Sequence, residues 1–204
     1  MVKKRFNENF ISKNQQIRDF LFRPLIKFLN KLGLNANLLS NLKLIVFLPF
    51  IYFSFVDLRL AYLFILFSIL IDIFDGPLAR FQKKFSDKGK FLDIFGDFTI
   101  YLMVILILIF LNIFNDYILI YHLFIFPLIA LLSTIRRQEF AKTDWIIKPA
   151  PELGHFNGLV YLCLGLFVYF NINYFNTILL LLNTFYTLLA IYYFIYIQSR
   201  WYKK

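Results

Sequence analysis

The residues best able to do chemistry lie between Asp72 and Asp97. They read Asp72-Ile-Phe-Asp75-Gly76-Pro-Leu-Ala79-Arg80, then eight further residues, then Gly89-Lys-Phe-Leu-Asp93-Ile-Phe-Gly-Asp97. Four carboxylates stand in or beside apolar runs, where ionised groups are costly and mark a functional site by default. At about 3.6 residues per turn, Asp72, Asp75, Gly76, Ala79 and Arg80 share one helical stripe. Gly89, Asp93 and Asp97 share another. A short polar connection makes the two helices antiparallel neighbours with the stripes face to face. Facing carboxylates repel unless they are protonated or neutralised by cations. Oxygen-only ligands favour Mg²⁺, Mn²⁺ or Ca²⁺ over zinc. Two such ions bridged by carboxylates suit displacement at phosphorus, and Arg80 with the nearby lysines suits a phosphate-bearing substrate. The residue types alone point to metal-assisted phosphoryl transfer.

The elements that position these groups are membrane helices. Of 204 residues, 60% are hydrophobic, against about 45–50% in a soluble domain. Mean hydropathy is +0.68. Apolar runs separated by short polar loops predict an all-α integral membrane protein with about six spans. The expected spans are 38–56, 60–80, 90–114, 117–132 (continuing to Arg136-Arg137), 156–170 and 175–197. The longest polar connection is expected at 138–155. Residues 1–36 form a separate segment ahead of the membrane domain at 37–204. There Phe20, Leu21, Pro24, Leu25, Phe28, Leu29 and Leu32 recur at helical spacing opposite a polar face, the pattern of an interfacial amphipathic helix. Charged residues recur through the first thirty positions, unlike a secretory leader.

The formal net charge of +10 fits a nucleic-acid binder poorly in so apolar a chain. Basic residues beside spans face anionic headgroups and set topology. Residues 1–36 hold eight Lys or Arg, 80–90 hold five, 136–148 hold four and the C-terminus three. The alternate loops hold only Arg59. That asymmetry places both termini and the aspartate stretch on the cytoplasmic side. The single cysteine, Cys163, lies mid-span as a small apolar residue and leaves no intrachain disulfide. His122 and His155 read as structural or interfacial, and Glu139 and Glu152 carry no assigned role.

The aspartate stretch also resembles the signature of the CDP-alcohol phosphotransferases, Asp-x2-Asp-Gly-x2-Ala-Arg-x8-Gly-x3-Asp-x3-Asp. Asp72, Asp75, Gly76, Ala79, Arg80, Gly89, Asp93 and Asp97 fill its eight fixed positions. With each residue type at roughly one position in twenty, chance gives about 10⁻¹⁰ per window. Asn37-Leu-Leu-Ser40-x2-Lys43 looks like the family's Pro-Asn-x-Leu-Thr-x2-Arg start of the first span. Ala36 stands there for Pro, Ser40 for Thr and Lys43 for Arg.

The resemblance implies six transmembrane helices, a homodimer and a site open to the cytoplasm. It implies phospholipid synthesis, with a CDP-linked donor such as CDP-diacylglycerol and an alcohol acceptor giving a phosphodiester and CMP. By position, Asp72, Asp75 and Asp93 would be the main ligands of Mg²⁺ or Mn²⁺. Asp97 would be the general base and a further metal contact. Gly76, Ala79, Arg80 and Gly89 would line the nucleotide–diphosphate site, with Gly89 keeping the helices close. Pro77 occupies a variable position where a kink is expected. Arg136 and Arg137 are candidate ligands for an acceptor phosphate, as in glycerol 3-phosphate or inositol phosphate.

Three other functions fit the sequence less well. A CDP-choline or CDP-ethanolamine enzyme acting on diacylglycerol shares the signature, but those chains are usually longer. UbiA-type prenyltransferases hold their two aspartate motifs far apart in sequence. A cation transporter should carry polar residues deep in several spans, and the last three spans here are nearly free of charge.

Overall fold

The computed structural model describes residues 19–82, 87–141 and 151–202, and among these every regular element is helical. In chain order the helices are α1 (Arg23–Lys31), α2 (Ala36–Ser54), α3 (Leu58–Gln82), α4 (Asp87–Leu111), α5 (Asp116–Ala141), α6 (Pro151–Phe170) and α7 (Phe175–Trp201). Six long helices thus stand where six spans are expected. Four of them are long and apolar enough to cross a membrane: α2, α4, α5 and α7. Helix α3, which carries Arg59, Asp72, Asp75 and Arg80, is not among the four. Helix α6 supplies a shorter apolar stretch, Gly158–Phe170.

Short side chains set the helix boundaries. Helix α1 ends where Gly33 turns left-handed (φ 74°). There Leu34 N–H donates to Leu29 O and Gly33 N–H to Asn30 O, a Schellman closure. Asn35 then caps α2, its Oδ1 accepting from Leu38 N–H at 2.9 Å. The cap falls two residues before Asn37, the polar start expected from sequence. Asp57 caps α3 through Arg59 N–H at 2.9 Å, and Asn115 caps α5 through Ile118 N–H at 3.2 Å. Helix α5 runs past Arg136 to Ala141 and α6 begins at Pro151, so the connection expected at 138–155 is largely helical at both ends. Helical bonding offsets the cost of an isolated backbone better than an extended loop does.

The chain divides into two compact units. One comprises the described residues of Met1–Pro49 and Phe64–Gly96; the other comprises those of Phe50–Leu63 and Asp97–Lys204. In the first, Ile26, Leu39 and Leu78 form a buried cluster, with Phe22, Leu29, Leu42, Ile71 and Phe74 packed against it. The rings of Phe22 and Phe74 meet edge to face at 5.1 Å. Helix α1 therefore buries Ile26 between Phe22 and Leu29. Leu25, Phe28 and Leu32 of the expected membrane-facing stripe are exposed, as are Phe20 and Leu21. The segment carries two apolar stripes rather than one, and Ile26 belongs to the inner one.

The second unit is held by α5 and α6 packing against α7. Its core includes Val104, Ile105, Leu108, Leu119, Phe126, Ile129 and Leu179, all buried. Within it lies one polar chain. Tyr101 O–H donates to His122 Nε2 at 2.6 Å, and His122 Nδ1 donates to Asn183 Oδ1 at 2.6 Å. Asn183 Nδ2 donates in turn to Ile118 O at 3.0 Å. The carbonyl oxygen of Asn183 can only accept, so Nδ1 carries the ring proton and Nε2 is the acceptor. Every member is satisfied, and three helices are tied through one buried imidazole. Nearby, the Tyr62 ring crosses α6 at Gly165, where any side chain would overlap it, and its hydroxyl donates to Tyr161 O at 3.0 Å.

Replacing Asn183 by Leu should lower unfolding stability in detergent by about 1–2 kcal/mol, the scale of an interhelical hydrogen bond in an apolar medium. An unchanged denaturation midpoint would show that the His122 network does not hold these helices.

Candidate active site

The site lies in the first unit, where α2, α3 and α4 each contribute polar side chains to an otherwise apolar setting. One carboxylate oxygen from each of Asp72, Asp75 and Asp93 lies within 4.8 Å of the others. Asp75 is buried and the other two are partly buried. Asp72 and Asp75 are three residues apart on α3, and Asp93 comes from the second turn of α4. The expected stripes thus meet at these three positions.

Helix α2 supplies the groups that face them. Ser40 Oγ donates to Asp75 Oδ2 at 3.2 Å and also lies 3.2 Å from Ala36 O. Lys43 Nζ donates to Asp72 Oδ1 at 2.8 Å and lies 3.7 Å from Asp93 Oδ1. Lys43 is only 1% exposed. A buried ammonium or carboxylate is costly alone, and removing one partner of such a group leaves the other uncompensated. The lysine and the three aspartates therefore make each other's burial tolerable.

The oxygen set fits a hard divalent cation. Metal–oxygen bonds of about 2.0–2.6 Å put ligand oxygens no more than about 4–5 Å apart across the ion. The three aspartates already meet that spacing, and among the described residues no sulfur or imidazole stands with them.

Each of the other predicted residues has its own surroundings. Asp97 lies four residues beyond Asp93 on α4, in the second unit, with an exposed side chain. Gly76 and Ala79 are partly buried on α3, and Gly89 is partly buried in the first turn of α4. Arg80 is gripped by Asp19: its Nε donates to Oδ2 at 2.7 Å and its Nη2 to Oδ1 at 2.6 Å. Arg136, in the second unit, sets its guanidinium carbon 4.3 Å from the centre of the Tyr193 ring. The side chains of Arg137, Glu139, Glu152 and His155 lie outside the described residues.

Two partners were hidden in the sequence. Asp19 stands among basic residues and looks like a stray charge. It shares a helical stripe with Phe22, Ile26 and Leu29, and the burial of that stripe is the signal that would have placed it against α3. Lys43 stands out in the sequence only as the place where the resembled pattern has Arg, and nothing local says that a lysine mid-span will find carboxylates from two other helices.

Helices apolar enough to span a membrane, and a carboxylate cluster shaped for a divalent cation, define a membrane protein with an enzyme-like centre. Residues 34–197 match the family model described as CDP-alcohol phosphatidyltransferase, and the chain belongs to that family. It is a transferase family of phospholipid synthesis. Comparison with curated proteins gave no match. The matched region contains Ser40, Lys43 and all four aspartates of the motif, and begins after Asp19 and α1.

The Asp19–Arg80 pair is bidentate but a quarter to a third exposed, so solvent weakens it. A double-mutant cycle of Asp19→Asn and Arg80→Gln, read by thermal unfolding in detergent, should give a coupling of about 0.5–1 kcal/mol. A coupling indistinguishable from zero would mean that the pair does not fasten the N-terminal segment to α3.

Proposed function

We propose that this protein transfers the phosphatidyl group of CDP-diacylglycerol to the hydroxyl of an alcohol acceptor, releasing CMP. The observation that carries this reading is the triad of Asp72, Asp75 and Asp93, three carboxylate oxygens within 4.8 Å inside the family match. The acceptor oxygen forms a bond to the phosphatidyl phosphorus, and the phosphorus–oxygen bond to CMP breaks. Asp97 takes the hydroxyl proton; its exposure leaves it open to a water-soluble acceptor. Arg80, beside Gly76 and Ala79, binds the anionic diphosphate through the donors Asp19 does not use. Gly89 keeps α4 close to α3 at the nucleotide. Arg136 and Arg137 receive the acceptor's phosphate where it has one, as glycerol 3-phosphate or inositol phosphate would.

Asp72, Asp75 and Asp93 would hold Mg²⁺ or Mn²⁺, with Asp97 completing a second ion's place. Such ions supply charge neutralisation at the phosphoryl oxygens.

The same reading makes α2 to α7 six spans, with both termini and the aspartates on the cytoplasmic side. The lysine and arginine asymmetry of the loops supports that orientation. A lipid donor and a polar acceptor can meet only near such a membrane surface. The homodimer follows from family resemblance.

Purified protein incubated with CDP-diacylglycerol, Mg²⁺ and a panel of alcohols should yield one new phospholipid, identified by mass, together with CMP. Excess EDTA should abolish CMP release and added Mg²⁺ or Mn²⁺ should restore it; turnover that persists in EDTA would sink the metal-dependent reading. Asp97→Asn should fold and bind nucleotide yet turn over about 100-fold more slowly or worse, the usual loss for a general base. Turnover near the wild-type rate would remove Asp97 from that role.

A further inference from the structure

Among the described residues, Lys43 is the only buried lysine or arginine. Its ammonium engages Asp72 at 2.8 Å and lies 3.7 Å from Asp93, two of the three carboxylates of the cluster. The side chain is seated from several directions. Ser68 Oγ donates to the Lys43 carbonyl at 3.3 Å. Gly96 lies against the stem: a Cβ there would stand 3.3 Å from Lys43 Cε. Gly96 is not one of the eight fixed positions of the aspartate motif, and a side chain there would press on the lysine stem.

An ammonium and a divalent cation use the same thing, the lone pairs of carboxylate oxygens, and they repel each other at short range. We propose that Lys43 is a resident counter-cation of the aspartate cluster, which competes with the divalent ion for Asp72 and Asp93. Without the ion, the lysine offsets the repulsion among the carboxylates and keeps α2, α3 and α4 together. With the ion, the same contact is weakened, and the lysine lowers the affinity of the site. By linkage, what the ion costs the lysine contact, the lysine costs the ion. This inference rests on the reading of the cluster as a cation site.

The test uses the full-length protein in detergent, with Mn²⁺ alone as the probe. Lys43→Met removes the charge. Lys43→Gln removes it while keeping a hydrogen-bond donor for Asp72, and carries the test if the methionine variant fails to fold. Mn²⁺ binding is read by calorimetry or by the spin-resonance signal of free Mn²⁺, and melting temperature is read in EDTA and in saturating Mn²⁺. The charge-free variant should bind Mn²⁺ about ten-fold more tightly than wild type. It should also melt at a lower temperature in EDTA, the gap closing as Mn²⁺ saturates. Equal or weaker Mn²⁺ affinity in a folded variant overturns the proposal, as does an unchanged melting temperature in EDTA. Failure of wild type to bind Mn²⁺ at all is a separate result, which overturns the cation reading of the cluster itself.

Discussion

Three carboxylates held within 4.8 Å of one another repel, and the first unit of this protein is arranged around that repulsion. In water the high dielectric constant would weaken that repulsion to about 1 kcal/mol per pair. Where burial removes water, as around Asp75, the repulsion is stronger. The answer is a set of compensating groups delivered by a third helix: Lys43 against Asp72 and Asp93, and Ser40 against Asp75. Asp93 lies in the second turn of α4 and Asp72 and Asp75 near the end of α3, so the cluster exists only while α2, α3 and α4 are packed together. Electrostatics and packing are therefore not separable here. The buried lysine faces the aspartates, and the aspartates face its ammonium.

The second unit faces the opposite constraint. It has little charge to neutralise, and its problem is to specify one packing among many for apolar helices whose lipid-facing and helix-facing residues are chemically alike. The Tyr101–His122–Asn183–Ile118 chain answers it with a closed run of donors and acceptors in which no atom can shift without losing a partner. Gly165 adds a steric answer, since only a glycine leaves room for the Tyr62 ring. The histidine in an apolar span thus has its hydrogen bonding completed, whereas the three clustered aspartates leave charge over. The difference lies in whether the surrounding groups complete the hydrogen bonding or leave charge over.

Much of the architecture is legible in the chain because it depends on near neighbours. Apolar runs of span length, the turn at Gly33 and the capping residues Asn35, Asp57 and Asn115 act over three or four positions, so helix existence follows from local pattern. The carboxylate stripes are equally local: Asp72 and Asp75 must share a face of any helix that contains them. Local reasoning goes astray where two patterns compete. The N-terminal segment reads as one apolar stripe for the membrane, yet Ile26 is taken inward by Leu39 and Leu78, which lie far along the chain.

The spacing of eight motif residues is enough to place the chain in its family. It also determined that three aspartates on two adjacent helices could meet, because a short connection leaves those helices few other arrangements. Tertiary structure alone decided what stands opposite them. The partnership of Lys43 with Asp72 spans 29 residues and that of Asp19 with Arg80 spans 61. No periodicity links such positions. Their pairing depends on how α1 and α2 lie against α3, where Phe22, Ile26 and Leu39 pack with Phe74 and Leu78 beside the charges. Apolar packing and charge pairing act on the same three helices, and both join positions that no local pattern connects.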